Sequence, residues 1–173
     1  MTVGRFWVPV NELSLRQGDY LPCCFVPVFS PNFPQDGRQQ NVPVDIFDLI
    51  ILTQSCDLEN KKASLVAMSP IYSLAEFEKI NPEFIKKGRW ESVRKGKVEG
   101  LHLLASPTNP ENNREALVVD FRQIYSLPFD YLSLRASELG DRWRLQSPFL
   151  EHFSQAFARL FMRVGLPSSI PEF

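Results

Sequence analysis

Phe47-Asp48-Leu49-Ile50-Ile51-Leu52-Thr53-Gln54-Ser55-Cys56-Asp57 is the stretch whose reading decides the fold. Its aliphatic run does not alternate with polar residues, which marks a strand over 47–53 that is covered on both faces or lines a closed barrel. The strand discharges at once into hydroxyl, thiol and carboxylate groups, so that polar end is held on a rigid element. Two readings of the end stay open. Cys56 and Asp57 take part in chemistry, or Ser55 and Asp57 satisfy backbone donors within a turn. Because it follows an internal strand, the Cys56-Asp57 turn is expected to be partly buried.

Working outward, residues 5–10 and 20–29 read as strands, with Arg16-Gln17-Gly18-Asp19 as the turn that feeds the second. Pro22 and Pro27 cannot donate to a ladder, which places that strand at an edge or a bulge. Residues 30–45 form a polar, proline-rich loop long enough to be functional or mobile. Beyond the central strand come a charged tip at Asn60-Lys61-Lys62 and a strand from Ala63 to Met68, ended by Ser69-Pro70. The periodicity then turns helical from Leu74 to Lys97, with Phe77, Ile80, Phe84 and Ile85 as apolar positions and Asn81-Pro82 as a break. This defines a helical basic insert over 74–98. Strands follow at 101–104 and 117–124, separated by a loop at 106–113, and Leu127-Pro128-Phe129 turns the chain toward a short segment at 131–134.

The last element is an amphipathic helix over 147–165. Ser147 is its expected N-cap, Pro148 suits the first turn, and Gly165 with Pro167 supplies the stop. Phe149, Phe153, Phe157 and Phe161 recur every four residues, while Glu151, Gln155, Arg159 and Arg163 occupy the other face. The phenylalanine stripe is expected to dock on the sheet. The predicted architecture is therefore a single α+β domain over 1–173: a small SH3-like antiparallel β-barrel with a helical insert and a C-terminal amphipathic helix.

Composition bounds the function. A chain of 173 residues with 14 phenylalanines has ample material for one core. The net charge of −1 excludes a general argument for nucleic-acid binding. The charge is uneven, however: residues 1–60 are acidic, residues 61–100 carry nine basic groups against five acidic ones, and the rest is near neutral. Three cysteines, Cys23, Cys24 and Cys56, are an odd number, and adjacent Cys23 and Cys24 point to opposite faces of a strand, so no disulfide framework is expected. No Cys-x-x-Cys or His-x-x-x-His spacing is present, and neither a metal nor a cofactor is expected. The N-terminal Met1 to Trp7 lacks the apolar core of a leader, and no apolar run approaches membrane-spanning length. A cytoplasmic protein without a membrane partner is the expectation.

Arg16-Gln17-Gly18-Asp19, the strand Leu49-Ile50-Ile51-Leu52-Thr53 and Pro70-Ile71-Tyr72-Ser73 occur in the order seen in the MazF/PemK-like small β-barrel proteins, which residues 14–73 resemble. In that family an SH3-like barrel cuts single-stranded RNA without a metal, using a loop arginine and a hydroxyl near the end of the Pro-Ile strand. The resemblance implies that Arg38 is the counterpart of the arginine and Ser73 of the hydroxyl. The family's Arg-Pro dipeptide before the central strand is replaced here by Val42-Pro43-Val44-Asp45.

Two further sets of residues invite chemistry. Cys56, Asp57 and His102 have the types needed for a nucleophile and base, because a thiol needs an imidazole or a cation nearby to ionise. Lys86, Lys87, Arg89, Trp90, Arg94 and Lys95 place cations around one tryptophan, as a surface that tracks phosphates while Trp90 stacks a base. The alternative is a solvated helical face whose Trp90 anchors the insert. Two functions follow: a toxin-like RNA-binding protein or metal-independent endoribonuclease acting on single-stranded RNA, or a non-catalytic interaction module. A protein partner such as an antitoxin, and a homodimer, belong to these expectations.

Overall fold

The computed structural model describes residues 5–31 and 41–162. Within them the fold is α+β, with eight strands in an antiparallel sheet and five α-helices. The strands are β1 (Trp7–Val10), β2 (Asp19–Pro27), β3 (Val44–Ile51), β4 (Leu65–Ser73), β5 (Leu101–Leu104), β6 (Leu117–Asp120), β7 (Tyr125–Pro128) and β8 (Arg142–Leu145). They run in the order β1-β8-β2-β3-β4-β6-β5, with β7 on β4. The helices are α1 (Ser55–Glu59), α2 (Leu74–Ile80), α3 (Arg89–Arg94), α4 (Phe129–Leu139) and α5 (Phe149–Phe161).

The unbroken aliphatic run of β3 has the two-sided burial it calls for. Leu49 and Ile51 join Leu21, Val66 and Met68 in one core, closed by Leu58 of α1 and by Leu132 and Ala136 of α4. Ile50 and Leu52 point the other way, joining Phe121, Leu145 and Phe153 beneath α5. A third core lies under α2 and α3, where Leu74, Phe77, Phe84 and Val93 pack on Leu101 and Val118.

The ladder does not close. Among the described residues no backbone pairing joins β1 to β5, the two edges of the path. A side-chain bond links the two edges, the Trp7 indole N–H donating to the carbonyl of Ala105, next to β5, at 2.7 Å. The expected bulge in β2 lies between Leu21 and Cys24, leaving Cys24 buried and Cys23 exposed. At the other end of β2, the buried carboxylate of Asp19 accepts from Arg142 at 3.0 Å and from Arg144, and both guanidiniums also hold the Ser14 carbonyl. That cluster fastens the turn at residues 16–19 to β8.

Several expectations need correction. Ser69-Pro70 does not end β4 but is where it changes neighbours, from β7 and β3 to β6. Proline is tolerated there because its missing N–H falls at the changeover, while the Ser69 hydroxyl bonds the Asp120 and Gln123 carbonyls. The segment after Pro128 is the 11-residue helix α4, and neither it nor β8 is anticipated by the sequence pattern. Ile80 and Ile85, assigned to the apolar face of the insert, are exposed, since the short helical segments turn Leu74, Phe77, Phe84 and Val93 inward instead. Helix α5 begins with Pro148 at the N-cap, and the Ser147 hydroxyl instead donates to Glu151 at 2.9 Å. Residues 163–165 of the expected helix lie outside the described residues.

The phenylalanine stripe is graded rather than uniform: Phe153 is 0% exposed, Phe149 stacks on Phe6, and Phe161 is 57% exposed. Phe153→Ala is therefore expected to cost about 3–5 kcal/mol in urea unfolding, and Phe161→Ala less than about 0.5 kcal/mol. Equal losses at the two positions would contradict this placement of α5.

Candidate nucleic-acid interface

The side chains of β5 alternate between two cores. Leu101 and Leu103 face α2 and α3, whereas Leu104 faces α5. His102 takes the α5 side, its ring 6.1 Å from those of Phe121 and Phe153. On α5, Phe153 turns inward, and His152, Gln155 and Arg159, spaced by three and four residues, share a more exposed strip beside it. Between that strip and the segment joining α3 to β5 runs a cleft of about 420 Å³, lined among others by Arg94, Lys95, Glu99, His102, His152 and Arg159. Gly100 makes the close approach possible: its φ is +78°, and a Cβ there would stand 2.6 Å from Cγ of Arg122.

The cleft wall is cationic. Residues 86–99 carry six cations against two carboxylates. One of those carboxylates, Glu91, is shared: Arg94 grips it with two bonds of 2.7 and 2.6 Å, and Lys95 lies 3.2 Å away. These bonds hold the Glu91 carboxyl down at about 2. Arg159 makes no ion pair with a described residue. The imidazole of His102 has no hydrogen-bond partner among the described residues. Burial, with the nearby charge of His152, lowers its pKa to about 4, so it is neutral at pH 7.

The expected nucleic-acid residues divide. Lys86, Lys87, Arg94 and Lys95 are exposed, and the last two line the cleft. Trp90 is half-buried, its ring against Phe77 and Phe84 and its indole N–H donating to Glu78 at 2.8 Å. These contacts anchor the insert, as the alternative weighed above has it, and leave the ring partly exposed. Arg89 lies over the Phe84 ring at 5.0 Å, with Nε buried and lacking an acceptor.

The remaining candidates do not converge on this cleft. Cys56 is exposed in α1 and Asp57 half-buried, so the expected partial burial of the turn fails at Cys56 alone: Leu58, two residues on, is the side chain that the helix turns inward. Its thiol has Gln54 and Asp57 oxygens at 3.7 and 3.9 Å. Cys56 and His102 stand on elements that pack against different cores, so Cys56, Asp57 and His102 do not form one set. The Gln54-Ser55 step is a structural joint, where the Ser55 hydroxyl accepts from the Gln17 N–H at 3.1 Å and the Gln17 amide donates to the Leu52 carbonyl at 2.8 Å. Ser73 is engaged in a capping box, its hydroxyl accepting from the Glu76 N–H while Glu76 accepts from the Ser73 N–H. Thr53, beside Cys56, holds Ala67 N–H at 2.8 Å, six residues and so about 20 Å along β4 from Ser73. Arg38 lies outside the described residues.

Sequence reasoning missed His152, Gln155 and Arg159 as site residues. Their only signal was the polar strip of α5, which reads equally as a solvated helix face. Among the described residues no cluster of three His, Cys, Asp or Glu side chains is placed to hold a metal ion, and no helix is long and apolar enough to cross a membrane. The chain matches no known family model, and no curated protein sequence matches it significantly.

The lowered pKa of His102 has a thermodynamic consequence. Its folded value of about 4 lies below the unfolded 6.5, so the unfolded chain takes up the proton first as pH falls. The stabilisation is complete above pH 6.5 and is lost between 6.5 and 4, amounting to about 3 kcal/mol. An NMR titration is expected to show the His102 ring titrating below pH 5, and His102→Gln to remove that share of the acid loss seen in urea unfolding. Titration near pH 6.5 would contradict the buried placement.

Proposed function

We propose that this protein binds single-stranded RNA in the cleft between α3, β5 and α5, as a toxin-like RNA-binding protein. The observation that carries the reading is the convergence of Arg94 and Lys95 from the basic insert with Arg159 and both histidines of the chain on one cleft. Phosphates supply the complementary charge, and the extended backbone of a single strand suits a groove open to solvent. Lys86 and Lys87 continue the cationic surface beyond the cleft. The sheet, with its edge strands tied by Trp7 and Ala105, supports the SH3-like small-barrel reading of the fold.

A second reading, the interaction module, draws on the apolar face of the β2–β3 ribbon. Phe25 pairs with Ile46 and Pro27 with Val44, and Phe25, Ile46 and Val44 are 50%, 61% and 51% exposed. Such a face suits a protein partner, an antitoxin or a second copy.

Gel shifts with a single-stranded RNA oligonucleotide decide between the two. Affinity is expected to fall steeply with salt, and Arg159→Gln with Lys95→Gln to reduce the log–log slope by about 0.7 for each phosphate that the variant leaves unneutralised. The absence of any complex at low salt would remove the RNA reading and leave the interaction module.

A further inference from the structure

Both histidines of the protein line the same cleft, on different elements and beside the cations that the RNA reading assigns to phosphate. His102 rises from β5 at the floor, wedged among Phe121 and Phe153, and is oriented by rings alone. His152 stands exposed on α5, its ring 6.4 Å from that of Phe149. The two imidazoles are close enough for the charge of one to disfavour charging the other. An unpartnered imidazole on β5, a second exposed on α5, and the guanidinium and ammonium groups of Arg94, Lys95 and Arg159 lining the same cleft form an arrangement suited to moving protons around a bound phosphodiester.

We propose that the cleft is a transphosphorylation centre that cuts RNA, with His102 as general base and His152 as general acid. The inference rests on the RNA-binding reading. His102 accepts the proton of a ribose 2′-hydroxyl, and the freed oxygen forms a bond to the adjacent phosphorus. The bond from phosphorus to the 5′-oxygen breaks, that oxygen keeps the electron pair, and it takes a proton from the imidazolium of His152. The products are a 2′,3′-cyclic phosphate and a 5′-hydroxyl, and proton exchange with water resets both rings. Lys95 and Arg159 face the charge that grows on the non-bridging oxygens. Burial keeps His102 in its neutral, accepting state at pH 7, and a phosphate bound beside it favours the imidazolium that forms.

The mechanism differs in its residues from the cleavage that the sequence resemblance implies, since neither Arg38 nor Ser73 takes part. A DNA strand, lacking the 2′-hydroxyl, binds without being cut.

The test uses the full chain and an end-labelled single-stranded RNA oligonucleotide in a chelating buffer, alongside the same oligonucleotide carrying a single ribose with every other sugar 2′-deoxy. Wild-type protein is expected to give fragments ending in 2′,3′-cyclic phosphate, with the chimeric strand cut only 3′ of its ribose. His152→Gln, at an exposed position, is expected to slow cleavage about 100-fold or more, within the range of general acid–base contributions, while changing RNA affinity less than about threefold. His102→Gln gives the same loss, checked against its folding by circular dichroism. RNA bound by the wild type yet left intact overturns the cleavage proposal alone, as does cutting by an identically purified double variant at the wild-type rate. RNA neither bound nor cut overturns the binding reading as well.

Discussion

The central strand β3 must be covered on both sides, and the rest of the architecture answers that constraint. Leu49, Ile50 and Ile51 are each 0% exposed, yet neighbours in a strand face opposite ways, so one layer of helices cannot cover them. Helices α1 and α4 close one face and α5 closes the other. Each fully buried aliphatic side chain contributes on the order of 1.5–3 kcal/mol. The arrangement accordingly assigns most of the stability to the contact between a sheet and two helical layers.

The same constraint positions the cleft. Helix α5 reaches the second core only by lying across β6 and β5, which brings its outer strip alongside the chain that leaves α3. Gly100 and the Asp120–Arg122 pair, 2.7 Å apart, allow the backbone to pass close beneath it. The basic insert contributes its charge, but its aromatic core of Phe77, Phe84 and Trp90 serves only to hold α2 and α3 on the edge of the sheet. The same short strand thus serves both packing and the cleft: Leu101 and Leu103 join the core under α2 and α3, and together with His102 they line the cleft.

How much of this was legible depended on how local the determining interaction is. The two-sided strand and the phenylalanine helix were readable, because four aliphatics in a row, Leu49 to Leu52, and a four-residue repeat each carry their own explanation. The Ser73-Leu74-Ala75-Glu76 spacing also states a helix start, although the resemblance to a catalytic hydroxyl drew Ser73 to another role. Strand β8 was not readable. Arg142-Trp143-Arg144 looks like solvated sequence, and Arg142 is buried only because Asp19, 123 residues earlier, accepts its charge. The cleft was hidden for the same reason, since residues 94–103 and 152–160 meet only through packing that no local pattern encodes. The cations of the insert were found from sequence, whereas Arg159 and His152 needed the fold.

The most direct test of the account is where RNA touches the protein. Titrating single-stranded RNA into isotope-labelled protein and following backbone amide shifts by NMR is expected to perturb residues 93–103 and 152–160 together, with the β2–β3 ribbon unchanged. Perturbation confined to that ribbon, around Phe25 and Ile46, or to the Cys56 helix, would contradict the assignment of the cleft as the interface.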